Sequence, residues 1–192
     1  MVRRYKFFLT VMAFWVCLSC CCRGYGAEQG KRVLILSPRE ASVLETLAAR
    51  EVHRYVYLRT GELLPILEEK EKLPEDAPII VVAAKNRPVV KKLALDAQIQ
   101  SSLERLKAQD YLLRTVNNHG RRVVFILGGD DVGTLYAAYR FAEHLGVRFY
   151  LHGDVVPDRR IALEFPDLNE VGEPLFNLRG IQPFHDFPEG PD

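Results

Sequence analysis

The run from Gly120 to Pro157, GRRVVFILGGDDVGTLYAAYRFAEHLGVRFYLHGDVVP, constrains the fold more than any other part of the chain. Arg122–Leu127 is a continuous apolar run long enough for one buried strand. It ends at Gly128-Gly129, and Asp130 and Asp131 stand where a helix N-cap and first turn favour carboxylates, because the first backbone N–H groups of a helix lack partners. Leu135, Ala138, Tyr139, Ala142 and Leu145 then recur three and four residues apart, the buried stripe of a helix over Asp131–Leu145. Gly146 supplies the left-handed residue that stops it, and Val147–Leu151 is expected to re-enter the sheet. Strand, tight turn, helix and strand in this order demand an α/β fold.

The first 27 residues stand apart from that domain. Arg3, Arg4 and Lys6 precede an apolar core over Phe7–Ser19, and Gly24-Tyr25-Gly26-Ala27 is a small-residue exit. The pattern predicts a secretory signal at Met1–Ala27, too short to span a bilayer comfortably. With its four basic residues removed, 22 basic residues face 25 acidic ones, a net charge of −3 instead of +1. Such a balance offers no basic surface for nucleic acid, and no stable membrane span remains. Cys17, Cys20, Cys21 and Cys22 all leave with the signal, so a chain cut near Ala27 has no disulfide and no thiolate metal site. The cluster permits a lipid anchor, although Leu18-Ser19-Cys20-Cys21 is an imperfect version of that pattern.

Further along, Val33–Leu36 predicts a first strand. Ser37-Pro38-Arg39-Glu40 reads as a capping box with proline at the first helical position, opening a long helix over Pro38–Thr60. Leu44, Ala48, Val52 and Tyr55 line its apolar face, and Thr60-Gly61 ends it. Glu68–Asp76 is a solvated loop, Ile79–Ala84 an interior strand, and Arg87–Leu106 one or two short surface helices. Asp110–Val116 and Arg122–Leu127 flank Asn117-Asn118-His119-Gly120, which predicts a β-hairpin. Arg160–Phe165 is expected as a last strand and Pro166–Pro174 as a linker. Together these give a two-layer α/β sandwich: a mixed β-sheet with two long helices on one face.

Three stretches resemble a known domain in matching order. Thr60-Gly61-Glu62-Leu63-Leu64-Pro65, then Asp110, Tyr111 and Leu113, then Gly133-Thr134-Leu135-Tyr136-Ala137 with Leu145–Arg148, Tyr150, Val156 and Pro157 are similar to motifs of the small α/β domain preceding the catalytic barrel in α-glucuronidases and β-N-acetylhexosaminidases. With the signal peptide at residues 1–27 set aside, the resemblance implies an accessory domain at 28–168, and a linker with the first strand of a (β/α)₈ barrel at 169–192. Its implied partners are the catalytic barrel of the same polypeptide and a carbohydrate substrate. It also implies that Arg179, His185 and Asp186 lie near the sugar site, since substrates meet the C-terminal ends of barrel strands. His185-Asp186 serves equally well as a solvated pair.

Other chemistry is poorly supported. Gly128…Gly133 has the gap of a phosphate loop, but Thr134-Leu135 replaces Lys-Ser/Thr, and carboxylates repel phosphate there. Helix capping accounts for Asp130 and Asp131. No histidine pair has a helical metal spacing, so no metal or other cofactor is implied. Glycosidic cleavage needs carboxyl groups at a fixed separation, and in the relatives these come from later barrel strands, so no catalytic residue is assigned. The readings are an exported accessory domain of a glycoside hydrolase, a stand-alone exported module binding glycan or protein, and a disfavoured nucleotide-binding domain. Intact mass of the exported product is expected to show loss of Met1–Ala27, with no thiol titratable after unfolding. A retained leader mass would overturn the signal reading.

Overall fold

The computed structural model describes residues 33–69, 71, 73–74, 77–118, 120–176 and 178–180. Met1–Ala27, His185 and Asp186 therefore lie outside the described residues. The strands are β1 (Leu34–Ser37), β2 (Ile66–Glu68), β3 (Ile79–Ala84), β4 (Tyr111–Asn118), β5 (Arg121–Gly128), β6 (Arg148–Tyr150), β7 (Gly153–Val155) and β8 (Asn169–Gly172). The helices are α1 (Val43–Thr60), α2 (Pro88–Leu93), α3 (Ala97–Arg105) and α4 (Asp131–His144). A six-stranded sheet has the order β2-β1-β3-β5-β4-β8. Its first four members are parallel, and β4 runs antiparallel to both β5 and β8. This is the mixed sheet of the expected α/β sandwich.

The apolar runs are buried on both sides because both faces are covered. Ile35, Ile80, Val82, Val124 and Ile126 face the two long helices, where Ala48, Ala49 and Val52 of α1 meet Ala137, Ala138 and Phe141 of α4. Small residues at these positions let the two helices approach each other closely. Leu36, Ile79, Val81, Phe125 and Leu127 face the other way, under α2, α3 and Leu106. Each fully buried aliphatic or Phe side chain contributes about 1.5–3 kcal/mol.

Four local expectations change in the structure. α1 starts at Val43, not Pro38: Ser42 is the N-cap, its Oγ accepts from Glu45 N at 3.2 Å, and Glu45 Oε2 accepts from Ser42 N at 2.8 Å. Ser37 cannot cap, because it pairs with Glu68 in the sheet and its carbonyl accepts from Glu69 N. Ile66–Glu68, which takes the first residue of the expected loop, adds an edge strand to β1. Val147–Leu151 does not re-enter the sheet: Val147 is buried beside Tyr55 and Ala142, and β6 pairs only with β7. Arg160–Phe165 forms no strand, and the sixth strand lies instead in the expected linker, where β8 takes the free edge of β4. The long-helix ending at Gly61 (φ +81°) and the hairpin joining β4 to β5 are as the sequence predicts.

Glu45 connects these layers. Its carboxylate is wholly buried and accepts from Ala84 N (2.8 Å), Arg87 Nε (3.0 Å) and Arg87 Nη2 (2.5 Å) besides Ser42 N. Burial pushes its pKa up, but the Arg87 hydrogen bonds, the two backbone donors and the Arg87 charge outweigh this and hold it below the usual carboxylate range. A folded pKa below the unfolded one means that this stabilisation is complete above the unfolded pKa and is lost as pH falls through the folded value. Arg87→Met is expected to cost roughly 3 kcal/mol near neutral pH by denaturant unfolding, because a buried carboxylate loses its counter-charge. The deficit relative to the unsubstituted protein should shrink on acidification through the folded pKa of Glu45. A deficit independent of pH would show that Arg87 acts through packing alone.

Candidate functional site

The sheet presents one edge on which strand ends and helix starts converge. Ala84 pairs with Gly128, Gly128 with Tyr111, and Tyr111 with Gly172, so four strands are in register there. After β1 the chain passes to the face covered by α1, and after β3 to the face covered by α2. Between these diverging connections lies a cleft of about 370 Å³ lined by Pro38, Arg39, Glu40, Glu69, Arg87, Pro88 and Lys92. Open α/β sheets hold ligands at such switch points. Two of its three cations are already engaged, Arg87 with Glu45 and Lys92 Nζ with Glu69 Oε1 at 2.6 Å.

Beside the cleft, the Gly128-Gly129-Asp130-Asp131 corner is packed against backbone. A methyl group on Gly129 would lie 1.7 Å from Lys107 O, and one on Gly133 would lie 2.2 Å from Asp110 O. These glycines serve close chain approach, and Asp130 caps α4 by accepting from Gly133 N at 2.7 Å. The same Oδ1 accepts from Gln109 N at 3.0 Å. Gln109 has φ +67°, the one non-glycine positive φ among the described residues. A side chain held in that region marks a conformation the surroundings impose.

Gln109 leads to the one sequence-selected site residue that the structure describes. The Arg179 Nη2 donates to Gln109 Oε1 and to the Tyr136 hydroxyl (3.2 Å), and the guanidinium lies 5.2 Å from the Tyr136 ring centroid. Arg179 thus belongs to a cluster with Gln109 and Tyr136, two residues the sequence did not single out for function. The positive φ of Gln109 has no sequence signal, since glutamine does not favour it; Tyr136 lies in the family-like motif but off the apolar stripe. Residues 173–176 and 178–180 form no strand, and the rest of the expected barrel strand lies outside the described residues.

Two further polar clusters fix the flanks. Glu170 on β8 accepts from Arg140 Nε (2.7 Å) and the Tyr111 hydroxyl (3.0 Å), and lies 2.9 Å from His144 Nε2. Burial and the bond to Glu170 push the Tyr111 hydroxyl up to about 12. Asp154 in β7 accepts from the Tyr55 hydroxyl (2.9 Å) and Arg54 Nη2 (3.0 Å), while Phe149 packs edge-on against Tyr55 and Tyr139. These contacts pin the β6–β7 hairpin to the long helices. His53 donates from Nδ1 to Leu64 O at 2.7 Å.

Chemically, these arrangements stabilise and position. The buried carboxylates of Glu45 and Asp110 are used by neighbouring backbone and Arg87 donors. Among the described residues no group of three or more His, Cys, Asp or Glu side chains could hold a metal, and no helix is long and apolar enough to cross a membrane.

The fold and its motif-bearing corner are those of an N-terminal domain of α-glucuronidase-like glycosidases. Residues 35–141, more than half of the chain and spanning β1 to most of α4, match the family described as glycosyl hydrolase family 67 N-terminus, and the chain belongs to that family. Its fold is similar to that in a solved structure of a family GH115 4-O-methyl-α-glucuronidase with specificity for decorated arabinogalactans, at a TM-score of 0.52 and 18% identity. That likeness covers 76% of this chain and 18% of the other, so the chain spans less than a fifth of that relative. No curated protein matches the chain.

Gly129→Ala tests the packing role of the corner. The methyl group must displace Lys107 backbone, and the variant is expected to lose roughly 2–4 kcal/mol in a denaturant titration. Unchanged stability would return the glycine pair to a role in ligand approach.

Proposed function

We propose that this chain is the exported, non-catalytic N-terminal domain of a glycoside hydrolase that removes uronic acid branches from polysaccharide, and that it braces the catalytic barrel of the same polypeptide. The family match over residues 35–141 carries this reading. Two observations support it: the buried carboxylates of Glu45 and Asp110 are engaged in the domain's own architecture, and the solved glucuronidase to which it is similar devotes most of its length to other parts. Substrate contact at the rim of the sugar site falls to His185 and Asp186, with Arg179 acting on them through the segment that carries all three. Export rests on the leader-like pattern of Met1–Ala27.

The motif resemblance also admits a hexosaminidase parent, and a stand-alone exported module binding glycan or protein is the alternative of a different class. One experiment separates them: express the reading frame that contains this chain, determine its end, and assay the purified product on glucuronic-acid-decorated oligosaccharides and on N-acetylhexosaminides. A frame extending well past Asp192 with uronic acid release is expected. Release of N-acetylhexosamine instead would assign the other parent. A frame closed at Asp192, with glycan retention and no hydrolysis, would overturn the accessory-domain reading.

A further inference from the structure

The segment after β8 combines features that the domain itself does not need. β8 runs parallel to β5, so the chain leaves at the edge marked by Gly128, Tyr111 and Gly172. Immediately beyond, Leu175, Phe176 and Leu178 are 91%, 70% and 92% exposed. Three large apolar side chains within four positions, turned to water, are costly unless another surface covers them. Arg179 is nevertheless fixed by Tyr136 and Gln109, and Gln109 is held at positive φ by its N–H bond to the cap residue Asp130. A backbone conformation unfavourable to glutamine is thus maintained next to the point where the chain departs.

We infer that this edge of the sheet is the seat on which the downstream catalytic part of the polypeptide docks. Leu175, Phe176 and Leu178 form the apolar contact, and the Gln109–Tyr136–Arg179 cluster is the latch that sets its direction. The inference rests on the proposed accessory-domain reading. The occupant is the rest of the same polypeptide because the apolar residues lie on the segment leading to it and because the solved glucuronidase carries this fold as a small part of a long chain. The opposite end of the domain, where Leu151 stands exposed at the β6–β7 turn, is the control surface.

The test uses the intact protein and limited proteolysis at the junction between this domain and the downstream catalytic part. Leu178→Asp and Arg179→Ala are each expected to speed cleavage at the junction by about tenfold or more, as for loss of a central interface residue. Leu151→Asp should leave the rate unchanged. Gln109→Gly discriminates a latch from a merely structural contact. It relieves the backbone, so the melting temperature of the domain should hold or rise, while junction cleavage accelerates because Arg179 loses its acceptor. Acceleration by Leu151→Asp alone would move the docking surface to the hairpin end and overturn the inference. So would a Gln109→Gly protein with an unchanged junction. A junction that behaves as expected in a protein without glycosidase activity would sink the functional proposal and leave the docking surface standing.

Discussion

The fold depends on a single buried carboxylate. Glu45 closes the capping box of α1, accepts the N–H at the end of β3, and pairs with the Arg87 that precedes α2. One side chain therefore ties a helix on one face, the centre of the sheet and the start of the helical cover on the other face. Its removal from water is tolerable because every oxygen has a donor and the charge has a counter-ion. The junction sits where the connections after β1 and β3 diverge. In many open sheets that position is a ligand crevice; here Arg87 and Lys92 face carboxylates across it, and the Arg87 pair serves architecture.

A second chain of contacts runs along the same edge. Asp130 caps α4 and holds the Gln109 backbone, Gln109 receives Arg179, and Arg179 covers the Tyr136 ring. The motif that resembles glycosidase accessory domains thus has a physical content. Its Gly133 allows chain crossing at Asp110 and its Tyr136 offers a face to the departing chain, while Asp130, just ahead of the motif, starts the helix. None of these roles involves a reacting atom. This agrees with a domain whose family is defined by its place ahead of other parts of a glycoside hydrolase.

The interior strands and the two long helices were legible in the sequence. β3 and β5 announce themselves as unbroken apolar runs, α4 by its stripe and flanking Asp130 and Gly146, and the end of α1 by Thr60-Gly61. These signals are local: burial on both faces, a 3.6-residue period and a left-handed cap each need only neighbouring residues. The start of α1 misled because two Ser-x-x-Glu patterns lie five residues apart, at Ser37 and Ser42. Only the pairing of Ser37 with Glu68 and the reach of Glu45 to Ala84 choose between them.

Sequence alone therefore determined the fold class, the core strands, the helix faces and the family-like motifs. Tertiary structure alone decided that Asn169–Gly172 is a strand, since its composition carries no β signal and the open edge of β4 supplies its partners. It likewise decided that Arg148–Tyr150 leaves the sheet, because Tyr55 and Tyr139 offer Phe149 an apolar surface outside it. Arg179 meets Gln109 across 70 residues of chain. No local pattern encodes such a contact, because both residues are ordinary polar side chains until the fold sets them side by side.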